Sequence, residues 1–392
     1  MENSTSPSLR IQLSIIFIVC FNFASYIANG LPLAVLPGHV LDGLGFSTVI
    51  AGLVIGVQYV ATLLSRPLAG LLADRFGARW AVLGGLALLT ACGLLTTVAL
   101  MLAQAPGLAV ALLMAARILQ GVAAALISTP CCTWAIGLHG RAHTARVMSW
   151  NGIAAYGGTA LGAPLGVLLA GHFGLPAVGV CMLLLGLLPM LLAAMRQAPP
   201  KVTGERLPFR NVFLSVVPNG LALACSSAGF GSLTAFIALH FAQHGWTHAA
   251  WCLTGFGLAF IATRLATPNV VSRYGGYTVV RVCLVVQSVG LLLVWLAPGP
   301  LAAIVGASLT GLGVSWVYPG LAVETLARTP EANRNSALSA LSLFFDLAVG
   351  LAGPVMGLVA AWLAIGEVFL IAALLSIAGF LLVQALCTAD AH

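Results

Sequence analysis

The chain has 392 residues, of which 60% are hydrophobic and only 6% charged, and its mean hydropathy is +1.07. A soluble domain of this composition would have too little polar surface to cover its core, so soluble classes of protein are excluded. At about 20 residues per spanning helix, this length holds roughly twelve spans with short loops. Long unbroken apolar runs favour helices, in which the backbone satisfies its own hydrogen bonds, over a membrane barrel. The composition predicts an all-α, multi-pass membrane protein.

The formal net charge of +7 reflects topology and does not indicate a nucleic-acid partner. Three of the sixteen cations, Arg66, Arg117 and Arg264, fall inside predicted spans. The others fall at the N-terminus or in alternate loops, and the loops between hold no Lys or Arg. This positive-inside bias predicts two cytoplasmic termini in a bacterial inner membrane. The cations outside the spans are Arg10, Arg75, Arg79, Arg141, Arg146, Arg196, Lys201, Arg206, Arg210, Arg273, Arg281, Arg328 and Arg334.

The nine cysteines lie in apolar runs and form no pattern typical of disulfides or zinc. We interpret them as small apolar residues and predict neither a metal nor a cofactor. Arg10 followed by the apolar residues 11–27 is compatible with a signal peptide. Apolar sequence continues to Leu36, however, and cleavage would leave eleven spans. We therefore predict that this segment is the first span.

In chain order, the sequence predicts six spans, a polar segment and six further spans. The first six are Ile11–Leu36, Thr48–Ala73, Trp80–Ala103, Gly107–Ile136, Val147–Gly171 and Leu175–Met195. The polar segment, residues 196–211, contains Pro199-Pro200 and five charges, and is predicted to link an N-terminal bundle (1–195) to a C-terminal bundle (212–392). The second six are Val212–Phe241, Ala249–Ser272, Thr278–Leu296, Leu301–Leu326, Ser336–Leu363 and Val368–Cys387.

The link between the second and third spans is the most specific motif, and we call residues 70–79 the latch loop. It reads Gly70-Leu-Leu-Ala-Asp74-Arg75-Phe-Gly77-Ala-Arg79, and so short and charged a link must lie in water. It resembles the G-x-L-A-D-R-x-G-R-K loop between helices 2 and 3 of the major facilitator superfamily, with alanine at the first basic position.

The resemblance implies two parallel, pseudo-symmetric bundles of six helices. It also implies that Asp74 contacts the start of the eleventh span, near Asn335 and Ser336, and so holds one conformation of a carrier. A helix N-terminus favours a carboxylate. The alternative is a loop that only sets topology, with Asp74 paired to Arg75 or Arg79.

An internal repeat relates the two halves. Arg66, Arg75, Phe76 and Gly77 recur 198 residues later as arginine, arginine, tyrosine and glycine, whereas the acid becomes Ser272. A second echo pairs Gly162-Ala-Pro164-Leu-Gly166 in the fifth span with Gly353-Pro354-Val-Met-Gly357 in the eleventh. Small residues at this spacing let helices pack closely, and proline bends them.

Two ionisable residues are predicted near the membrane midplane. Arg117 in Arg-Ile-Leu-Gln120-Gly lies about 15 Å into the fourth span, where a guanidinium costs at least about 2.5 kcal/mol. The stretch resembles the R-x-x-Q-G motif of drug/proton antiporters, whose arginine is linked to proton transfer. Asp346 lies at a similar depth in the eleventh span, and we predict that it couples protons to substrate together with Arg117. The alternatives are a structural arginine bound by carbonyl groups, or a permanent ion pair.

The fifth span resembles the antiporter motif G-x-x-x-G-P-x-x-G-G only in part. Its Ser-Trp-Asn-Gly, Tyr-Gly and Gly-Ala-Pro-Leu-Gly run is closer to a poorly characterised bacterial subgroup of arabinose or drug exporters, over essentially the whole chain. Polar residues on apolar faces are candidates for the substrate cavity, although each could instead be an interhelical hydrogen bond. They are Asn22, Asn29, Gln58, Gln120, Asn151, Tyr156 and Tyr318.

Three further sets of residues carry weaker predictions. Glu324 is interpreted as a helix-surface ion pair with Arg328, four residues on. Arg66 and Arg264 are interpreted as gating scaffolds because the repeat places them symmetrically. The outer-face histidines His39, His172, His244 and His248 could tune a pH response, although dispersed loop histidines are usually solvated.

The motifs together predict a proton-driven exporter of a small organic solute, and no enzyme. The sequence holds no phosphate-cradling G-x-x-x-x-G-K-[ST] motif and neither H-E-x-x-H nor G-x-S-x-G. The alternatives are an importer or uniporter of the same fold, or a non-transporting membrane sensor. The predicted partners are the solute, protons and the lipid bilayer, with no nucleic acid, and the chain is expected to be a monomer.

Overall fold

The computed structural model describes residues 7–33, 35–102, 104–200 and 207–389. Within these ranges, eleven helices are long and apolar enough to cross a membrane, and a shorter apolar helix, Ala250–Ala266, occupies the place of the predicted eighth span. The fold is that of an all-α membrane protein with twelve transmembrane helices, as predicted. Lys201 and Arg206 of the predicted linker lie outside the described residues.

We number the twelve helices in chain order. Those before the linker are α1 (Pro7–Gly30), α2 (Thr48–Phe76), α3 (Ala78–Met101), α4 (Pro106–His139), α5 (Thr144–Phe173) and α6 (Pro176–Ala194). Those after it are α7 (Phe209–Gln243), α8 (Ala250–Ala266), α9 (Gly276–Trp295), α10 (Pro300–Val314, then Val317–Ala327), α11 (Arg334–Trp362) and α12 (Glu367–Ala389).

Three helices end or break earlier than the hydropathy predicts, and proline accounts for each. The first span was predicted to reach Leu36, but α1 ends at Gly30, two residues before Pro32, because the residue before a proline disfavours the helical conformation. The eighth span was predicted to reach Ser272, but α8 ends at Ala266, just before Thr267 and Pro268, and a separate short helix follows. Hydropathy reports apolar length, whereas proline decides where the helix can continue.

The tenth span was predicted to be continuous, but α10 is interrupted at Ser315 and Trp316. Pro319 has no N–H, so it cannot donate to the carbonyl four residues earlier, which is that of Ser315. That carbonyl oxygen instead accepts hydrogen bonds from Arg264. The break therefore supplies an acceptor for a buried arginine.

The helices form two compact units. Unit 1 consists of Met1–His143, Trp150–Phe209 and Pro330–Ser339, and unit 2 of Thr144–Ser149, Arg210–Thr329 and Ala340–His392. The change from one unit to the other at residues 209 and 210 falls inside the predicted linker. The first residues of α5 group with unit 2 and those of α11 with unit 1, which the sequence did not predict. The predicted domain bounds otherwise stay a prediction.

Each unit contains the same close helix contact, which supports the internal repeat. In unit 1, a methyl group on Gly121 of α4 would overlap the carbonyl oxygen of Gln58 on α2. In unit 2, a methyl group on Gly311 of α10 would overlap the carbonyl oxygen of Phe256 on α8. Gln58 and Phe256 are 198 residues apart, the offset that also separates Arg66 from Arg264.

The glycines of the fifth span pack as predicted, whereas that of the eleventh does not. Methyl groups on Gly162 and Gly166 would overlap the carbonyl oxygens of Ile27 on α1 and of Leu31, the residue after α1, and Pro164 lies inside α5.

The packing role predicted for Gly353 is wrong, because a methyl group there would meet no described atom within 4 Å. The adjacent Pro354 lies inside α11 and is exposed. The close approach to α11 in unit 2 is made instead at Gly231 of α7, where a methyl group would lie 2.5 Å from the Cβ of Ala352. The sequence match between the two spans therefore does not show which glycine makes the close contact between helices.

Candidate functional site

The carboxylate of Asp74, in the last turn of α2, binds the start of α11. Its Oδ1 accepts hydrogen bonds from the backbone N–H of Asn335 at 3.0 Å and from the Asn335 side-chain amide at 2.8 Å. Its Oδ2 accepts hydrogen bonds from the Ser336 backbone N–H at 2.9 Å and from the Ser336 hydroxyl. The contact that the resemblance implied is therefore present, with four donors on one carboxylate.

The local sequence explains why this contact can form. The first N–H groups of a helix have no partner within the helix, and the partial positive charge there favours a carboxylate. Gly70 lets α2 approach, since a methyl group there would lie 2.9 Å from the Cα of Ser336. The Asn335 side chain is fixed from its other end, where its oxygen accepts a hydrogen bond from the Thr133 hydroxyl.

The cations of the latch loop do not pair with Asp74. Arg75 lies over the Phe76 ring, and Arg79 donates to the carbonyl oxygen of Ala194. The alternative of a local pair between Asp74 and Arg75 or Arg79 is therefore not what the structure shows. The loop lines a cavity of about 950 Å³ in unit 1, together with Pro199, Glu331 and Arg334.

The corresponding loop of unit 2 uses a different carboxylate. Ser272, which replaces the acid, donates to the carbonyl oxygen of Asn269 in its own turn. Glu324 of α10 accepts hydrogen bonds at the start of α9, from the backbone N–H groups of Gly276 at 2.8 Å and Tyr277 at 3.3 Å. The predicted ion pair of Glu324 with Arg328 is not the contact that forms. The guanidinium of Arg328 lies over the Tyr277 ring instead.

The two arginines of the repeat are buried and hydrogen-bonded within their own units. Arg66 donates from Nη1 to the hydroxyls of Ser128 at 2.7 Å and Thr129 at 3.3 Å. Arg264 donates from Nε and Nη2 to the carbonyl oxygen of Ser315, at 3.0 and 2.6 Å.

The remaining nitrogen of Arg264, Nη1, donates to the carbonyl oxygens of Met148 and Ser149, at 3.1 and 2.8 Å. Every guanidinium nitrogen of Arg264 therefore has an acceptor. Arg264 thus holds the start of α5 in unit 2. This arrangement suits the scaffold role predicted for it.

Four of the predicted cavity residues form one polar chain in unit 1. Arg117 donates from Nη1 to the side-chain oxygen of Gln120. The Gln120 amide donates to the side-chain oxygen of Asn29 at 2.8 Å and to the carbonyl oxygen of Ala28 at 2.9 Å. The Gln58 amide donates to the same Asn29 oxygen at 3.0 Å. Helices α1, α2 and α4 are linked through these side chains, and Arg117 is only 1% exposed.

Comparison with known proteins shows the family of the chain. The model of the Major Facilitator Superfamily matches residues 18–248 and 220–392. The chain belongs to the major facilitator superfamily. An uncharacterised MFS-type transporter of Burkholderia mallei (strain SAVP1) is 46% identical over 377 residues, covering 96% of this chain and 92% of the relative. Another from Pseudomonas aeruginosa (strain LESB58) is 46% identical over 381 residues, covering 97% and 95%.

Solved structures show the same fold. A variant of the E. coli fucose:proton symporter superposes with a TM-score of 0.77 at 15% sequence identity, covering 95% of this chain and 98% of that one. At this identity the likeness establishes the fold alone. As a major facilitator protein, the chain is a multi-pass membrane transporter.

The other predicted cavity residues lie apart from the chain around Arg117. The Asn22 amide donates to the side-chain oxygen of Asn151 at 2.7 Å, which joins α1 to α5 in unit 1. In unit 2, the Tyr318 hydroxyl lies 2.7 Å from that of Ser342, one turn before the half-buried Asp346. Tyr156 is also half-buried, on α5.

Two of the four histidines predicted for the outer face of this major facilitator protein contact their own helical turns. Burial lowers the pKa of His39 below its usual range. Gly43 lies so close to the His39 ring that a methyl group there would be 2.7 Å from Nδ1. The Nδ1 of His244 lies 2.9 Å from the His240 carbonyl oxygen. Within the described residues, no three His, Cys, Asp or Glu side chains are grouped to hold a metal ion.

Proposed function

We propose that this chain is a secondary active transporter that exports a small organic solute across the bacterial inner membrane by alternating access, driven by protons. The observation that carries the proposal is the contact of Asp74 with the start of α11. It joins segments 261 residues apart in the chain through four hydrogen bonds. Such a contact suits a latch that forms in one conformation and opens in another.

Proton coupling rests on two ionisable residues inside spanning helices. Arg117 is buried in α4, and Asp346 is half-buried in α11. Charged groups at these positions are expensive, and they mark pathways for ions and protons in membrane proteins. Carboxyl groups inside spanning helices serve as proton relays in pumps and transporters.

A second candidate is proton-driven import. The E. coli protein with a similar fold is a fucose:proton symporter, and a fold does not set the direction of transport. In an importer the same two residues would couple protons to solute moving inward. The two candidates differ in the sign of the proton movement that a solute triggers.

The test uses inverted membrane vesicles with an imposed acid-inside pH gradient and a pH-sensitive dye. The vesicles contain the wild type, Asp346→Asn, or Glu367→Gln as a matched control. Glu367 accepts a hydrogen bond from Trp295 at the start of α12, away from the predicted midplane. A panel of sugars, amphipathic drugs, amino-acid derivatives and organic acids is added one compound at a time.

Export predicts that at least one compound dissipates the gradient with the wild type and with Glu367→Gln, but not with Asp346→Asn. A compound that acts equally with all three proteins would show that Asp346 is structural. Exchange of radiolabelled solute without proton movement would replace the exporter by a uniporter. Alkalinisation of acid-loaded vesicles only when solute leaves with protons would favour the importer.

A further inference from the structure

One edge of the Arg117 guanidinium has no acceptor. Nη1 donates to Gln120, whereas Nε and Nη2 are buried and have no hydrogen-bond partner within the described residues. The N–H groups of these two nitrogens lie in the guanidinium plane, side by side along one edge. Two parallel N–H donors on one edge match the two oxygens of a carboxylate or a phosphate. The free edge of Arg117 is therefore shaped for an oxyanion.

The other buried arginines show that this arrangement is not general in the chain. Arg264 has an acceptor for Nε, for Nη1 and for Nη2. Arg66 has two hydroxyl acceptors on α4. Their acceptors are hydroxyl groups for Arg66 and backbone carbonyl oxygens for Arg264. Arg117 alone among the three has an open edge.

Among the described residues of unit 1, no carboxylate pairs with Arg117. The titratable side chains that face it are Cys92 on α3 and Tyr59 on α2, and both types are neutral near pH 7. A buried cation without a paired anion is unfavourable. An anion that arrives from outside unit 1 would be stabilised there more than at a site where the charge is already paired.

Two buried side-chain oxygens among the predicted cavity residues of unit 1 also lack donors within the described residues. Gln58 gives its amide to Asn29, but its Oε1 has no partner, and the Oδ1 of Asn22 has none either. Asn22 and Asn29 are seven residues apart on α1 and hence about 10 Å apart on one face. These oxygens are acceptors, so a ligand would meet them with hydroxyl or amino groups.

We propose that Arg117 binds an anionic group of the transported solute through Nε and Nη2, so that the solute is a small hydroxylated organic anion, a carboxylate or a phosphate ester. This inference rests on the proposed function, since it names the solute class of the same site. Gln58 and Asn22 accept hydrogen bonds from the hydroxyl groups of the solute. Gln120 and Asn29 hold Arg117 and Gln58 in place.

The test measures binding to purified full-length protein by isothermal calorimetry, with solutes in charged and neutral pairs. The pairs are gluconate with glucose, glycerate with glycerol, and glycerol 3-phosphate with glycerol. The wild type is expected to bind at least one anion. Its neutral counterpart should bind at least about tenfold more weakly, because it cannot form the charge-assisted bidentate hydrogen bonds with Arg117. Equal binding of both members of every pair, or no binding of any of the anions at millimolar concentration, would overturn the inference.

Variants separate binding from folding. Arg117→Gln is expected to abolish the preference for anions. Arg117→Lys is expected to retain a weaker preference, because an ammonium group keeps the positive charge but not the two parallel N–H donors. Arg281→Gln is the matched control, since Arg281 is half-buried on α9 and donates to Gln384. The thermal midpoint without ligand should fall only slightly in Arg117→Gln, because the variant loses the hydrogen bond to Gln120 but removes a charge that was unpaired. A large fall in that midpoint together with an unchanged preference for anions would mean that Arg117 is structural.

The gradient assay in vesicles distinguishes this inference from the proposed function. Proton-coupled export of neutral sugars or cationic drugs, without any response to the anions, would refute the solute class and leave the exporter intact. Anion binding without proton movement or exchange would refute export and leave the site intact.

Discussion

The two loops of the internal repeat share a backbone turn but differ in which helix their carboxylate binds. Gly77 and Gly275 adopt φ of 99° and 81° and connect two helices in each unit. In unit 1 the acid lies on the loop itself and binds the start of α11, 261 residues away. In unit 2 the loop has Ser272, and Glu324 of α10 binds the start of α9, the helix that the loop itself leads into. The repeat thus preserves the turn, and only one copy reaches a distant helix.

This difference suggests that the two carboxylate contacts have different roles. The contact of Glu324 with the start of α9 joins neighbouring helices of unit 2, and we expect it to stay formed during transport. The contact at α11 depends on the approach of a distant segment, and we propose that it opens in each cycle. The following changes test this contrast, beginning with the largest expected effect.

Alanine at Gly77 or Gly275 should destabilise the protein by a similar amount. Both glycines occupy a backbone region that other residues adopt at a cost of about 1–3 kcal/mol, and a side chain at either position would meet no described atom within 4 Å. We expect a loss of about 2–3 kcal/mol for each variant, measured as the free energy of unfolding in detergent. Gly84→Ala, where a methyl group also meets no described atom within 4 Å but φ is not positive, is the control. A loss confined to one of the two variants would show that the turns are not equivalent.

Asp74→Asn should shift the conformational equilibrium with little effect on unfolding. The amide keeps one acceptor oxygen but loses the other and the negative charge at the helix start, a change of about 2 kcal/mol, or about 30-fold in the equilibrium. The shift can be measured by the labelling rate of a single cysteine placed at residue 338 in a cysteine-free background. An unchanged labelling rate would contradict the latch.

Glu324→Gln should reduce stability by about 1 kcal/mol without changing that labelling rate. One oxygen of Glu324 accepts both hydrogen bonds, so an amide oxygen in its place can accept them too, and the loss is that of the negative charge at the start of α9. The thermal midpoint checks the first effect and cysteine labelling the second. If the labelling rate rose as expected for Asp74→Asn, the contact of Glu324 with α9 would also open during the conformational change.

Ser272→Asp should have the smallest effect, within about 0.5 kcal/mol. It restores the acid of the repeat on an exposed turn, but the start of α9 is already bound by Glu324. Combined with Asp74→Asn, it should not restore transport. Recovery of transport in the double variant would show that the two loops are interchangeable.

Much of unit 1 could be predicted because its signals are local. The latch loop is a contiguous run, and its resemblance to a known pattern is enough to imply the partner of Asp74. Arg66 and Arg264 were visible through their spacing. Hydropathy located the helices to within a few residues, except where Pro32, Pro268 and Pro319 ended or interrupted them.

The remaining features depend on which helices meet, and no single stretch of sequence carries that information. The polar chain draws its residues from three helices: Arg117, Gln120, Asn29 and Gln58. The sequence could mark each residue as a candidate, but it could not predict the hydrogen bonds between them. Glu324 was read against its neighbour four residues away, whereas its partner lies on α9. Gly353 matched the repeat, yet the helix that approaches α11 does so at another glycine.

The most direct test of the proposed contrast is hydrogen exchange at the two helix starts, in wild-type protein reconstituted in nanodiscs. It compares the backbone N–H groups of Asn335 and Ser336 with those of Gly276 and Tyr277. If the contact at α11 opens repeatedly, its amides should exchange through low-energy openings, and Asp74→Asn should accelerate them alone. The amides of Gly276 and Tyr277 should remain protected in both proteins. Equal protection at both helix starts, unchanged by Asp74→Asn, would contradict the proposal that the latch loop is the moving contact.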